Sequence, residues 1–287
     1  MTLRRALRDI FRSRSEGVRA YPATKGAAES LPKYSPPKPD RTPTFFYPVF
    51  WATTDGKAVA ESVKSATAML VGGHHFADNL LTWARNMSML DDAPFVAAWQ
   101  ANAESASDRA IVWRRYVLAC AAYHCVQLDG DFVECGVYTG VGIKTIVDYL
   151  SGPAFPKTFW GYDVFEHDAS MMHHAMAEHG PDLYERVRRK FAGYPQVRLF
   201  KGLIPEVFAS GCPERIAYLH IDLNEAAAEV ASLEHLFDRM VPGGILILDD
   251  YEWSLYRGQK LAEDAWFEAR RYRVMPLPTG QGLVIKR

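Results

Sequence analysis

Residues 131–142 read Asp131-Phe-Val-Glu-Cys-Gly-Val-Tyr-Thr-Gly-Val-Gly142. Glu134 closes a short apolar run, and a glycine-rich turn then opens what the pattern beyond it predicts to be a helix. Gly136, Gly140 and Gly142 permit a tight turn and let the backbone approach a ligand with no Cβ in the way. The next helix offers unpaired N–H groups at its start. The spacing is G-x-x-x-G-x-G, not the G-x-G-x-x-G of dinucleotide enzymes. A carboxylate at position 134 would repel a pyrophosphate but suits the amine-bearing end of S-adenosylmethionine (SAM). The corner therefore predicts SAM binding through Glu134, Gly136, Tyr138, Thr139 and Gly140, although such a turn alone also occurs as a packed structural corner.

Working outward, apolar runs alternate with helical patterns as a parallel α/β sheet requires. Residues 158–165 form a second strand ending in Asp163, where a carboxylate can grip ribose hydroxyls. Leu183, Val187 and Phe191 are spaced for one buried helix face, and residues 196–202 read as a third strand. Gly202 and Leu203 follow it, where related folds place residues beside the adenine. A fourth strand spans 216–222. A helix from Ala226 to Met240 should stop at Val241-Pro-Gly-Gly244. The apolar run Ile245–Leu248 then delivers Asp249 and Asp250 to the carboxyl edge, where open α/β sheets bind ligands. An amphipathic helix and two short runs around residues 279–282 read as a closing hairpin. The predicted fold is α/β: a doubly wound, Rossmann-like, mostly parallel seven-stranded sheet with a C-terminal antiparallel hairpin and an N-terminal helical cap.

The 287 residues are 48% hydrophobic and 23% charged, ordinary for a globular protein with one catalytic domain. A net charge of −1, with no basic stripe interleaved with aromatics, argues against nucleic acid as a partner. The four cysteines lack C-x-x-C spacing, and neither a signal peptide nor a transmembrane span is visible, which points to the cytoplasm. Residues 1–44 form a leader in which Arg4, Arg5, Arg8, Arg12 and Arg14 surround Leu3, Leu7, Ile10 and Phe11. A solvated leader is favoured over a basic amphipathic helix that touches a membrane surface or a partner. Residues 45–125 read as a mostly helical cap anchored by Trp51, Phe76, Trp83, Phe95, Trp99 and Trp113, and residues 126–287 as the SAM-binding domain. A homo-oligomer is compatible with all of this.

Five ordered segments carry a resemblance: ECGVYTG at 134–140, YDVFE at 162–166, KGLIPE at 201–206, HIDLNE at 220–225 and VPGGILILDDY at 241–251. Together they resemble the macrocin O-methyltransferase family, which implies a SAM- and magnesium-dependent enzyme methylating hydroxyls of sugars and related natural products. That family usually shows D-x-D on the fourth strand, the first carboxylate helping to hold the metal and the second a candidate base. Here the motif reads Asp222-Leu-Asn224. The metal role carries over to Asp222, Asp249 and Asp250, a trio of hard oxygen donors suited to magnesium. The base role does not carry over, because an amide takes no proton.

Asn224 is then expected to orient substrate, with activation of the hydroxyl left to the metal, to Glu225 or to a histidine such as His167, His173 or His174, and with Asp222 counted among the catalytic and cofactor-binding residues as well as the metal ligands. His220 shares a strand face with Asp222 and is expected to pack inside the sheet. The sequence thus predicts a SAM-dependent O-methyltransferase acting on a small-molecule hydroxyl. Two alternatives are a catalytically silent SAM-binding module, suggested by Asn224 and the leader, and an NAD-linked oxidoreductase, disfavoured by the glycine spacing and Glu134.

Overall fold

A computed structural model describes residues 44–287; the basic leader lies outside the described residues. The described residues open with β1 (Phe45–Phe46), α1 (Gly56–Thr67), β2 (His74–Ala77) and β3 (Leu80–Trp83). These strands make a small sheet, β1 parallel to β2 and β2 antiparallel to β3. The segment expected to be mostly helical therefore begins with strands. Its two four-residue runs meet at Asp78-Asn79, both at positive φ (51° and 56°), the backbone a two-residue hairpin needs.

Four helices follow: α2 (Ser88–Asp91), α3 (Ala93–Asn102), α4 (Ala106–Ala110) and α5 (Val112–Cys125). Asp92 caps α3, and a reciprocal Ser105–Asp108 box caps α4. On α5 the buried residues are Val112, Arg114, Leu118, Ala119, Ala121, Ala122 and Cys125. Arg114 is the one charged member of that buried face.

The main sheet is built from β4 (Asp131–Cys135), α6 (Val141–Tyr149), β5 (Phe159–Asp163), α7 (Leu183–Lys190), β6 (Val197–Lys201), β7 (Ile216–Ile221), α8 (Ala226–Leu236), β8 (Met240–Leu248), α9 (Arg257–Ala269), β9 (Met275–Pro276) and β10 (Gly282–Ile285). Its order is β6-β5-β4-β7-β8-β10-β9. The first five strands are parallel, while β10 runs antiparallel to both β8 and β9. Alternating side chains feed two cores. Phe132, Phe159, Tyr218 and Ile247 pack with α5, α6 and α7; Val133, Tyr162, Leu219 and Leu246 pack with α8 and α9.

One expectation fails locally. Residues 241–244 do not merely end the preceding helix; they lie within β8, whose register against β7 shifts between Met240 and Ile245. An irregularity of this kind accommodates Pro242, which cannot donate to a regular ladder. The strand order reverses between β4 and β7, so the carboxyl ends of β4, β5, β7 and β8 border one crevice, the position at which doubly wound sheets bind ligands.

Candidate functional site

The corner after β4 is built by close backbone approach. Gly136 has φ +94°, and a Cβ there would overlap the carbonyl of Asp222, so only glycine lets the turn rest against the end of β7. Gly140, at φ +76°, is the N-cap of α6. Tyr138 donates its N–H to Asp163 Oδ2 at 2.7 Å, and the Phe165 N–H donates to the other carboxylate oxygen. Burial pushes the Asp163 pKa up despite these bonds. The Gly202 amide donates to the Asp163 carbonyl at 3.0 Å, with Leu203 exposed beside it. The Thr139 carbonyl accepts from Lys190 Nζ. Glu134, Gly136, Tyr138, Thr139, Gly140, Asp163, Gly202 and Leu203 thus share one edge.

A chain of buried charges continues from Glu134 to β8. Glu134 is 2% and His220 1% exposed, and His220 Nδ1 lies 3.0 Å from Glu134 Oε2. His220 Nε2 stands 3.5 Å from Asp249 Oδ1. His220 is therefore more than sheet packing. Burial alone would lower its pKa, but the neighbouring Asp249 and Glu134 carboxylates outweigh that and push it up to about 10. The ring stands between two carboxylates, bonded to Glu134 and 3.5 Å from Asp249.

Asp249 also accepts from Gln281 Nε2 at 2.8 Å and from Arg114 Nη1 at 2.7 Å. The same Nη1 donates to Asp250 Oδ1 at 3.0 Å. Arg114 Nε and Nη2 grip Asp78 at 2.8 and 3.1 Å. Trp51 Nε1 donates to Asp78 at 2.8 Å, and the Trp253 ring lies 5.1 Å from the guanidinium. Burial opposes ionisation of Asp249, yet Arg114 and His220 hold its pKa far below the usual range. Asp250 is pushed up to about 6 by burial and by the Asp249 charge.

Asp222 is half-buried, and an oxygen of its carboxylate lies within 4.8 Å of ligand atoms of His220 and Asp249. Burial and the charges of Asp249 and Asp250 raise its pKa well above the ordinary value. Asn224 sits at φ +58° with a buried, unpartnered Oδ1. Glu225 is the N-cap of α8, accepting from Ala227 N at 3.0 Å and Ala228 N at 2.6 Å, so both its oxygens are engaged. His167 Nε2 pairs with the His173 carbonyl at 2.8 Å, and its ring packs against His173 and His179. His174 Nδ1 lies 3.3 Å from the Tyr256 hydroxyl. Burial and the charges of Asp250 and Asp222 raise the Tyr256 pKa. Arg114, Asp78, Gln281 and Tyr256 did not stand out in the sequence. The one local sign for Arg114 was a charge on an apolar helix stripe.

A family model described as macrocin-O-methyltransferase (TylF) matches residues 118–271. The chain is 29% identical to the mycinamicin III 3''-O-methyltransferase of Micromonospora griseorubida, the match covering 45% of this chain and 60% of that protein. It is 28% identical to the 8-demethyl-8-(2,3-dimethoxy-alpha-L-rhamnosyl)-tetracenomycin-C 4'-O-methyltransferase of Streptomyces olivaceus, over 45% of this chain and 58% of that one. The chain thus spans about 60% of the length of the curated relatives it matches. Among solved structures, the O-methyltransferase NovP is similar in fold, with a TM-score of 0.53 at 19% identity over 61% of this chain and 80% of that chain.

Proposed function

Because the chain belongs to the macrocin O-methyltransferase family, whose model matches just over half of it, we propose that it transfers a methyl group from SAM to a hydroxyl of a sugar or of a glycosylated or polyketide-like small molecule. The observation that carries this reading is the seating of the Gly136 turn on the Asp222 carbonyl, which brings the SAM corner against the acidic edge. Both curated relatives are named for methylating hydroxyls of natural products, which supports the substrate class.

Glu134, its Oε2 tied to His220, keeps Oε1 for the methionine amine. Asp163 meets the ribose, and Gly202 and Leu203 flank the adenine. The acceptor hydroxyl attacks the sulfonium methyl in line, the C–S bond breaks as the C–O bond forms, and S-adenosylhomocysteine (SAH) leaves. Most of the acceleration comes from holding oxygen, carbon and sulfur in register. Glu225 caps a helix and His167 binds a carbonyl, whereas the Asp222 carboxyl stands at the crevice edge beside His220 and Asp249. Asp222 therefore takes the hydroxyl proton, and Asn224 orients the acceptor.

Magnesium is the finer expectation, and its expected ligands already have other partners. Asp249 and Asp250 are bonded to Arg114, Asp249 also to Gln281, and both nitrogens of His220 face carboxylates. So arranged, these residues do not fit a resident ion, and no step runs through one. The four cysteines are free thiols, which supports a cytoplasmic setting. Among the described residues no helix is long and apolar enough to cross a membrane.

The test is calorimetric binding of SAH and NAD followed by turnover on a panel of sugar, macrolide-glycoside and aromatic-glycoside hydroxyls. Binding of SAH but not NAD, with methylation of one class, is the expected result. SAH binding with no turnover on any hydroxyl would leave a silent module.

A further inference from the structure

The end of β8 presents two adjacent carboxylates, and the space between them is already taken by a cation. We infer that Arg114 is the built-in counter-ion of this site, holding Asp249 and Asp250 where a divalent ion would otherwise bind, so that methyl transfer by this chain requires no divalent metal. The claim about transfer rests on the methyltransferase reading; the claim about the cation does not.

Four of the five guanidinium N–H groups are used, two of them from Nη1 to the two aspartates and two toward Asp78. This side chain is clamped. Asp78 holds it through a two-bond fork, and Asp78 is itself fixed by Trp51 Nε1 and by the hairpin turn. Arg114 is 8% exposed and faces the Trp253 ring, so water offers the guanidinium no alternative partner of equal strength. Asp249 also accepts from Gln281 Nε2 at 2.8 Å, with the His220 ring 3.5 Å from the same oxygen. A magnesium ion needs oxygen ligands at about 2.1 Å in near-octahedral array. To reach Asp249 and Asp250 it would have to displace the Nη1 bonds while Asp78 kept the guanidinium alongside, placing two cations in mutual repulsion at low dielectric. The arginine already occupies the place of an ion at this edge: its Nη1 bonds both aspartates and fixes them, and it makes no bond to Asp222.

The experiment is an electron paramagnetic resonance titration of the full-length protein with Mn2+, alongside methyl transfer measured in chelator. The parent should show no saturable Mn2+ site, and its activity should survive chelation. Arg114→Gln, and independently Asp78→Asn, which loosens the clamp, should each tighten Mn2+ binding about tenfold or more, the scale on which supporting residues tune metal affinity. Asp249→Asn added to either should abolish the new site. A parent that binds one Mn2+ in an Asp249-dependent way overturns the inference, as does chelator-sensitive activity restored by Mg2+, or the absence of any gain in both variants. If Arg114→Gln does not fold, the parent and Asp78→Asn titrations decide the matter. Loss of SAH binding would defeat the proposed function instead, and the Mn2+ titration would still report on Arg114.

Discussion

The two halves of the crevice hold their carboxylates by different means. At the ends of β4 and β5, Asp163 is met by backbone N–H groups of Tyr138 and Phe165, and the geometry follows from where glycines let the chain turn. At the end of β8, Asp249 and Asp250 are met by side chains, above all Arg114, which lies 135 and 136 residues earlier in the chain. The first half is a backbone device that any chain with the same short motif would build. The second is a charge device, and its character depends on a residue that no local motif includes. His220 joins them, with Glu134 on one side and Asp249 on the other.

The largest expected effect separates the halves. Asp222→Asn should lower methyl transfer by about 10²–10⁴-fold, as loss of a general base does, while SAH affinity, measured calorimetrically, stays near the parent value. A parallel fall in SAH affinity would mean that the halves are one unit. Next, Arg114→Met should cost about 3–5 kcal/mol in urea unfolding, because it strands buried carboxylates without their partner. A loss no larger than that from a surface substitution would remove the contrast between charge-held and backbone-held acids.

The link between the halves predicts a pH dependence. The His220 pKa is about 10 in the folded chain against an ordinary 6.5, so its stabilisation is complete below pH 6.5 and drains away as pH rises toward 10. Stability should fall across that window by at most about 1.4 kcal/mol per pH unit, and His220→Gln should flatten the slope. A parent whose urea midpoint is constant from pH 7 to 9.5 would refute the raised His220 pKa. Smallest of all, Glu225→Ala should cost about 1 kcal/mol through the lost helix cap and leave the pH–rate profile in place. A displaced profile would return Glu225 to the chemistry.

What was legible follows the same division. The strand, glycine turn and helix at 131–149, the acid at 163 and the hairpin at 275–285 are all specified by neighbours in sequence, and each lies where its pattern puts it. The helix cap at Glu225 is local too, but its carboxylate reads as a base until the Ala227 and Ala228 amides are seen beneath it. The small sheet at 45–83 was missed because four-residue strands are too short for their periodicity to outweigh a helical expectation. The Arg114 pairing was hidden for another reason: an ion pair between distant segments leaves no mark on either. Three aspartates at strand ends look like a metal cage when nothing indicates that a guanidinium already binds two of them.

The clamp between Asp78 and Arg114 also limits how this chain can drift. Asp78 serves a turn and Arg114 an interior helix face, and neither post by itself demands a charge. Loss of Arg114 would leave the buried Asp78 carboxylate with Trp51 Nε1 as its donor, and loss of Asp78 would leave the guanidinium held by Asp249 and Asp250 alone, so substitutions at the two positions are coupled. A descendant neutral at both positions would regain an open pair of aspartates, and with them an appetite for magnesium; one double substitution would separate metal-free from metal-dependent branches of the same lineage.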